Sequence, residues 1–463
     1  MANPLQQLKD WLLDKRNFRV AWFAKDPKLK AAPQEALSQL PEETAQRLVS
    51  AANDLPVHPR DEEAVVRELS EAITQWRDHP HTADNSIVIL SDPVSSISRI
   101  LIECLDKVRQ KEEREPLPIT LLDWIERPLQ VESIKQRIKD KLDLADDSST
   151  DPSCNEEDAE GKPTLMVIPN LSWCFLRSAD GLDGLDYLQD LIPRDRSRFW
   201  VIGSGRVGWD YLKSTIKLNA YCGKVKVLPF LSGEDLQDWI EPIIQQFNIS
   251  FSNPALYKRL EKGNNPVSLE AALDRPVEAL TDVKQEISAT IQSSVRAAKE
   301  ELLSDETEEK ERSAKQEYFD RLADISDGVS TTALQIFIKS LRCKEQDSDS
   351  SSSEDSNAST SQSAEREHSP KRIVASIPKL PPLPDLSQND LYLLYSLILH
   401  GDLNIKALSE SLGDAPNVVN NQVQILRGLG VLEQKGNVLK ANPAYYPRIR
   451  RELDRNNFII EVP

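Results

Sequence analysis

Residues 85–100, NSIVILSDPVSSISRI, have the layout of a phosphate-binding turn without its chemistry. An apolar run from Ile87 to Leu90 leads into a turn over Ser91–Ser98, and a helical run follows at Ile100, Leu101, Leu105 and Val108. To grip phosphates, such a turn needs G-x-x-x-x-G-K-[ST]. Its glycines let bare amides wrap the oxygens, and its lysine neutralises them. Here the turn holds no glycine and no lysine, and Asp92 would face the phosphates. The scaffold is expected to survive without the reaction.

Other residues offer less. No G-x-S-x-G occurs. Asp123, Glu126 and Glu132 lie near a strand end, where α/β sheets place ligands, but acids there also cap helices and face solvent. The run Gly203–Arg206 could make an anion nest or, more simply, a tight turn between strand and helix. Trp173 and Trp209 stand near strand ends and are candidate aromatic contacts for a partner, whereas Trp200 reads as core. Five widely spaced cysteines without a C-x-x-C pair suit a reducing compartment, and five histidines show no metal spacing, so no metal site and no cofactor are expected. A net charge of −18 argues against non-specific coating of nucleic acid or anionic lipid. Asp10, Asp14 and Lys15 interrupt any leader-like apolar run, and the stretch Leu391–Leu399 is too short to span a bilayer. A cytoplasmic protein without membrane insertion is the expectation.

The elements that must position these residues follow from periodicity. Residues 1–84 read as an N-terminal helical region, with apolar positions at helical spacing in Leu5, Leu8, Trp11 and Leu12 and again in Val65, Leu69, Ile73 and Trp76. From 85 to 247 short apolar strands alternate with helices. The strands are Ile87–Leu90, Ile119–Leu122, Leu165–Ile168, Phe199–Ile202 and Val225–Leu228; the helices are 98–111, 131–143, 182–192 and 207–215. This pattern predicts a parallel sheet covered on both faces. The acidic stretch 145–162 reads as a mobile loop. Residues 248–343 read as helices with a charged insertion, and the segment 322–341, with a glycine break at Gly328, carries the cleaner apolar face at Leu334, Ile336, Phe337 and Leu341. The serine-rich, acidic segment 344–372 reads as a disordered linker that lets the C-terminal piece explore tens of ångströms (roughly 5–6 Å × √n). The remainder, 373–463, reads as helix, helix, helix, hairpin, a winged helix-turn-helix. Ser387 caps the first helix, Gly428 and Gly430 end the third, and Gly436-Asn437 makes the wing turn.

Taken in order, several segments resemble the AAA-type and STAND-like P-loop ATPases that end in a winged helix, the origin-recognition-like group. They are the strand-turn-helix at 87–101, TLMVIPNL at 164–171, RFWVIGSG at 198–205, VLPFLSGEDLQDWI at 227–240, the helix pair around Gly328 and the C-terminal module. The resemblance implies a P-loop NTPase-like α/β fold with a helical lid. It also locates the losses. Against the family's G-P-x-G-x-G-K-[ST], Asp92, Ser95 and Ile97 replace glycines, Ser98 takes the lysine slot and Arg99 the hydroxyl slot. Where the family's second strand carries acids that hold Mg²⁺, this chain has Pro169 and Asn170. Phosphoryl transfer relies on positioning and charge neutralisation, and removing a single such donor costs ~3 kcal/mol. ATP hydrolysis is not expected.

The C-terminal module admits two uses. In the first, its third helix and wing bind DNA through Asn420, Asn421, Gln424, Arg427, Lys435, Arg448, Arg450 and Arg451, within residues 415–455. In the second, the same residues contact protein. From Arg427 to Arg455 seven basic residues face three acidic ones, but 373–463 as a whole balances nine against nine, a weak field for a DNA module. The expected function is a non-catalytic ATPase-like scaffold or regulatory adaptor working through protein contacts. The alternatives are a DNA-binding regulator and an ATP-binding switch with an unconventional site.

Overall fold

The computed structural model describes residues 37–38, 40–111, 115, 117–122, 132–149, 163–251, 312–344 and 372–460. One compact unit, Gln39–Cys343 with Arg372–Pro463, holds nearly all of them. The expected helices at 1–36, the charged insertion up to 311, the linker and the acids Asp123 and Glu126 lie outside the described residues.

Two helices open the unit, α1 (Glu42–Asn53) and α2 (Pro59–Asp78). His58 starts α2 by accepting the Arg60 amide on Nδ1 at 3.1 Å, and Pro59 takes the first helical position, where no amide partner is needed. Five parallel strands follow: β1 (Ser86–Ser91), β2 (Ile119–Leu121), β3 (Thr164–Ile168), β4 (Arg198–Gly205) and β5 (Lys224–Val227). Their order across the sheet is β2-β3-β4-β1-β5, with β1 between β4 and β5. Helices α3 (Ile97–Lys111), α4 (Glu132–Ser149), α5 (Asp183–Arg194) and α6 (Arg206–Thr215) are interleaved.

Alternation along the strands explains the two layers. Ile87, Ile89, Leu165, Val167, Phe199 and Val201 bury against α2 and α3, while Val88, Leu90, Met166, Ile168, Trp200 and Ile202 bury on the opposite face with α4, α5 and α6. This parallel, doubly covered sheet with a strand-turn-helix at its interior strand β1 is a P-loop NTPase-like α/β fold.

Beyond the sheet, α7 (Gly233–Phe247) begins with a reciprocal capping box between Ser232 and Asp235. It packs with α1, with helix α8 (312–325) and with α9 (Ser330–Ser340) around Phe319, Ile336 and Phe337. Asp327 and Gly328, both at positive φ, make the break between α8 and α9. A small sheet sets β7 (Leu341–Lys344) beside β8 (Arg372–Ala375), which pairs in parallel with β6 (Ser250–Phe251).

The C-terminal elements are α10 (Gln388–His400), α11 (Ile405–Leu412), α12 (Pro416–Gly428), an antiparallel ribbon of β9 (Leu432–Lys435) and β10 (Val438–Ala441), and α13 (Tyr446–Arg455). Ser387 and Asp390 form a capping box on α10, and Gly430 and Gly436 adopt positive φ where α12 and the ribbon turn.

Three expectations change. Residues 145–149 continue α4 rather than starting a loop. Gly203 to Gly205 are the last residues of β4, paired with Ile89, Leu90 and Ser91, so this run is neither nest nor turn. A methyl on Gly203 would come 2.4 Å from the Pro169 carbonyl, so the missing side chain lets the 169–170 turn close on β4. The C-terminal module does not roam. Leu393, Leu397 and Leu399 join the same buried cluster as Trp200, Val207 and Trp209, because α10 is apolar nearly all round and needs a second surface.

Candidate functional site

The turn between β1 and α3 decides what this site can do. A phosphate cradle requires amides that point outward and stay free. Here the Ser95 amide donates to the Asp92 carbonyl at 2.9 Å and the Ile97 amide to the Ser95 carbonyl at 3.1 Å. The turn closes on itself. Ile97 is buried in the core with Leu101, and Ser98, in the lysine slot, is half-buried. Arg99 is spent locally: Nε donates to Glu103 at 2.7 Å, and the Nη atoms donate to the carbonyls of Leu55 at 2.6 Å and Asn53 at 3.4 Å.

Asp92 faces the C-terminal module. The Tyr446 hydroxyl donates to its Oδ1 at 3.4 Å, and Arg206, the first residue of α6, approaches the same oxygen at 4.0 Å. Burial pushes the Asp92 carboxyl upward, opposed by Arg206, Arg450 and the Tyr446 hydrogen bond. Burial likewise raises the Tyr446 phenol. Arg450 reaches Asp327 at 3.2 Å and Arg451 reaches it at 3.6 Å, so α13 is clamped between the β1 turn and the α8–α9 break.

On the neighbouring strand, Pro169 follows β3 and Asn170 caps a short turn, its Oδ1 accepting the Ser172 amide at 3.1 Å. Neither offers the carboxylate a magnesium ion needs.

The remaining candidates separate. Arg450, only 6% exposed and ion-paired, is not available to DNA or a partner. Trp209 is buried in the core, where the apolar face of α6 meets the sheet, so it is no surface anchor; Trp173 is half-buried against the same core. Asn421, Gln424 and Arg427 are exposed on α12, with Asn420 half-buried beside them, and they bond along the helix from Arg427 to Gln424 and from Gln424 to Asn420. Lys435, on the ribbon, and Arg448 and Arg451, on α13, are exposed. Val418 and Ile425 on α12 and Leu429 at its C-terminal cap are exposed as well, Ile425 by 63%.

No family model matches the sequence, and no curated protein matches it. Among solved structures the chain is similar to the Aeropyrum pernix ORC2 protein in its ADPNP-ADP complexes, at TM-score 0.34 and 12% identity over 87% of this chain and 95% of that one. It is similar to Cdc6p from Pyrobaculum aerophilum at TM-score 0.33 and 10% identity, over 87% and 96% of the two chains. It is also similar to C. elegans PCH-2 at TM-score 0.34 and 13% identity, over 66% and 67%. These likenesses are distant, and the fold assignment stands on the sheet order and the strand-turn-helix at β1.

Sequence reasoning missed the residues that hold the C-terminal module against the turn from outside it, Asp327 and Tyr446. The Ser232–Asp235 capping box was legible as S-x-x-D, but its link to α2, where Arg60 pairs with Asp235, is a contact between distant segments. Among the described residues no group of three or more His, Cys, Asp or Glu side chains is arranged to hold a metal, and no helix is long and apolar enough to cross a membrane.

Proposed function

We propose that this protein is a non-catalytic, ATPase-like scaffold or regulatory adaptor that acts through protein contacts. The observation that carries the reading is the turn after β1. Its amides bond internally, its leading side chain is an acid, and that acid accepts a hydrogen bond from Tyr446 of the C-terminal module. A triphosphate there would meet a carboxylate and no lysine. The C-terminal module, which we read as a winged helix, then serves as a fixed part of the platform. Its α12, with the Leu429 cap, offers Val418, Ile425 and Leu429 to a partner, apolar side chains that suit protein better than a phosphate backbone.

The test is nucleotide binding and turnover on the full chain. ATP with Mg²⁺ is expected to leave the melting temperature unchanged and to yield no phosphate, whereas a ligand at 100 times its Kd would add about 2.7 kcal/mol. Turnover abolished by Ser98→Ala or Arg99→Ala would establish the unconventional ATP switch instead. The DNA-binding reading draws on the exposed Asn421, Gln424, Arg427, Lys435 and Arg448. A gel shift with a steep salt slope, lost on Lys435→Glu with Arg448→Glu, would favour it.

A further inference from the structure

Between α1, the segment leading into α2, the β1 turn and α9 lies a cavity of about 240 Å³. Most of its wall is apolar, from Val49, Leu55, Val94, Ile100, Leu334 and Ile338. One acid lines it. Asp61 is 6% exposed, and its carboxylate makes no hydrogen bond or ion pair among the described residues.

The nearby cations are engaged elsewhere. Arg60 pairs with Asp235, and Arg99 with Glu103 and two carbonyls. His58 accepts the Arg60 amide on Nδ1 and uses Nε2 on the Asp235 carbonyl at 3.1 Å, which fixes it as a neutral ring. The tryptophan beside it, Trp239, gives its N–H to the Pro56 carbonyl at 3.0 Å. The cavity therefore offers one acid without a partner, mostly apolar walls and the hydroxyls of Ser95 and Ser96, while Arg99 on its wall is held by Glu103 and the two carbonyls. A buried charge without a partner is costly, and a matching cation relieves it.

We propose that this cavity receives a cationic nitrogen, an alkylammonium or guanidinium group on an apolar body, with the Asp61 carboxylate as its counter-ion. The cation can come from a free amine or from a lysine or arginine side chain of a partner; the recognition chemistry is the same. The site is independent of the scaffold reading, since it needs neither the β1 turn's phosphate chemistry nor its loss. In the empty protein burial lifts the Asp61 carboxyl to about 7, with Asp92 and Asp235 reinforcing the lift and Arg60 opposing it. A bound cation favours the ionised acid, so uptake of the cation releases a proton below that range.

The experiment is calorimetric titration of the full chain with benzylamine, which stays protonated from pH 6 to pH 8, against the uncharged benzyl alcohol. Benzylamine is expected to bind, and to bind more tightly at pH 8 than at pH 6; benzyl alcohol is expected to bind at least tenfold more weakly. Asp61→Asn, nearly isosteric, is expected to cost at least tenfold in amine affinity without lowering the melting temperature. Gln335→Trp, which fills the cavity and leaves the acid in place, is expected to abolish binding. Blocked peptides with one central lysine or arginine separate the sources. Binding of the peptide as tightly as the amine assigns a partner side chain, and binding of the amine alone assigns a free ligand. Equal binding of amine and alcohol, amine affinity within twofold after Asp61→Asn, or no amine binding at millimolar concentration would overturn the proposal.

Discussion

Two carboxylates of α2, seven residues apart, carry opposite pH signatures. Asp61 titrates at about 7 in the fold against 3.8 as its ordinary value, chiefly because it is buried. As pH rises from 4 to 7 the unfolded chain loses this proton first, so the fold loses stability across that window, by up to about 4 kcal/mol for a shift of this size. Asp61→Asn is expected to raise the melting temperature at pH 8 and to change little at pH 4; equal effects at both values would refute the assignment. Glu68 behaves the other way. Lys224 bonds its carboxylate at 2.5 Å and Lys226 at 3.0 Å, holding its pKa down at about 2 against the pull of burial. That stability is complete above about 4.5 and disappears as pH falls to 2. Both lysines are partly hydrated, so Glu68→Gln is expected to cost about 2 kcal/mol at pH 7 by urea denaturation, and next to nothing at pH 2.

At the scale of elements, α6 and α10 meet so closely that a methyl on Gly208 would lie 2.7 Å from the Leu399 carbonyl. In an exposed helix Gly→Ala stabilises by about 1 kcal/mol. Here the sign reverses, because the new carbon meets backbone that cannot rotate away, and Gly208→Ala is expected to destabilise by about 1–3 kcal/mol in thermal or urea melts. Stabilisation would mean that the two helices do not pack as described. This contact also marks the limit of sequence reading. The three inner strands were legible because Ile87–Leu90, Leu165–Ile168 and Phe199–Ile202 are apolar runs of strand length, and the absence of glycine and lysine from the β1 turn could be read directly. The C-terminal helices and ribbon were legible from Ser387, Gly430 and Gly436. What periodicity cannot carry is which surfaces meet. The stretch Leu391–Leu399 announces a helix apolar on more than one side, but not that its second side covers α6. Arg450 looks identical to Arg448 in sequence, and only the position of Asp327 makes one a buried clamp and leaves the other in solvent.

At the largest scale, the serine-rich linker suggests an α/β body and a C-terminal module on a string, and within the unit Gln39–Cys343 with Arg372–Pro463 the two pack together. Leu393, Leu397 and Leu399 share a buried cluster with the α/β face at Trp200, Val207 and Leu212. Polar ties cross the same boundary. The Arg177 amide donates to His400 Nε2 at 3.2 Å, and the Arg177 guanidinium donates to Ser396 Oγ at 3.2 Å and to the Ser411 carbonyl at 3.3 Å. Tyr446 and Arg450 add their bonds to Asp92 and Asp327. Separating the C-terminal helices would expose the apolar side of α10, take Tyr446 from Asp92 and take Arg450 and Arg451 from Asp327, penalties that neither part avoids by unfolding alone. The body and the C-terminal module are therefore expected to melt in a single calorimetric transition, with equal calorimetric and van't Hoff enthalpies. A lower-temperature transition confined to the C-terminal module, identified by early loss of amide protection at 388–455 while 86–91 stays protected, would show that the module is only tethered after all.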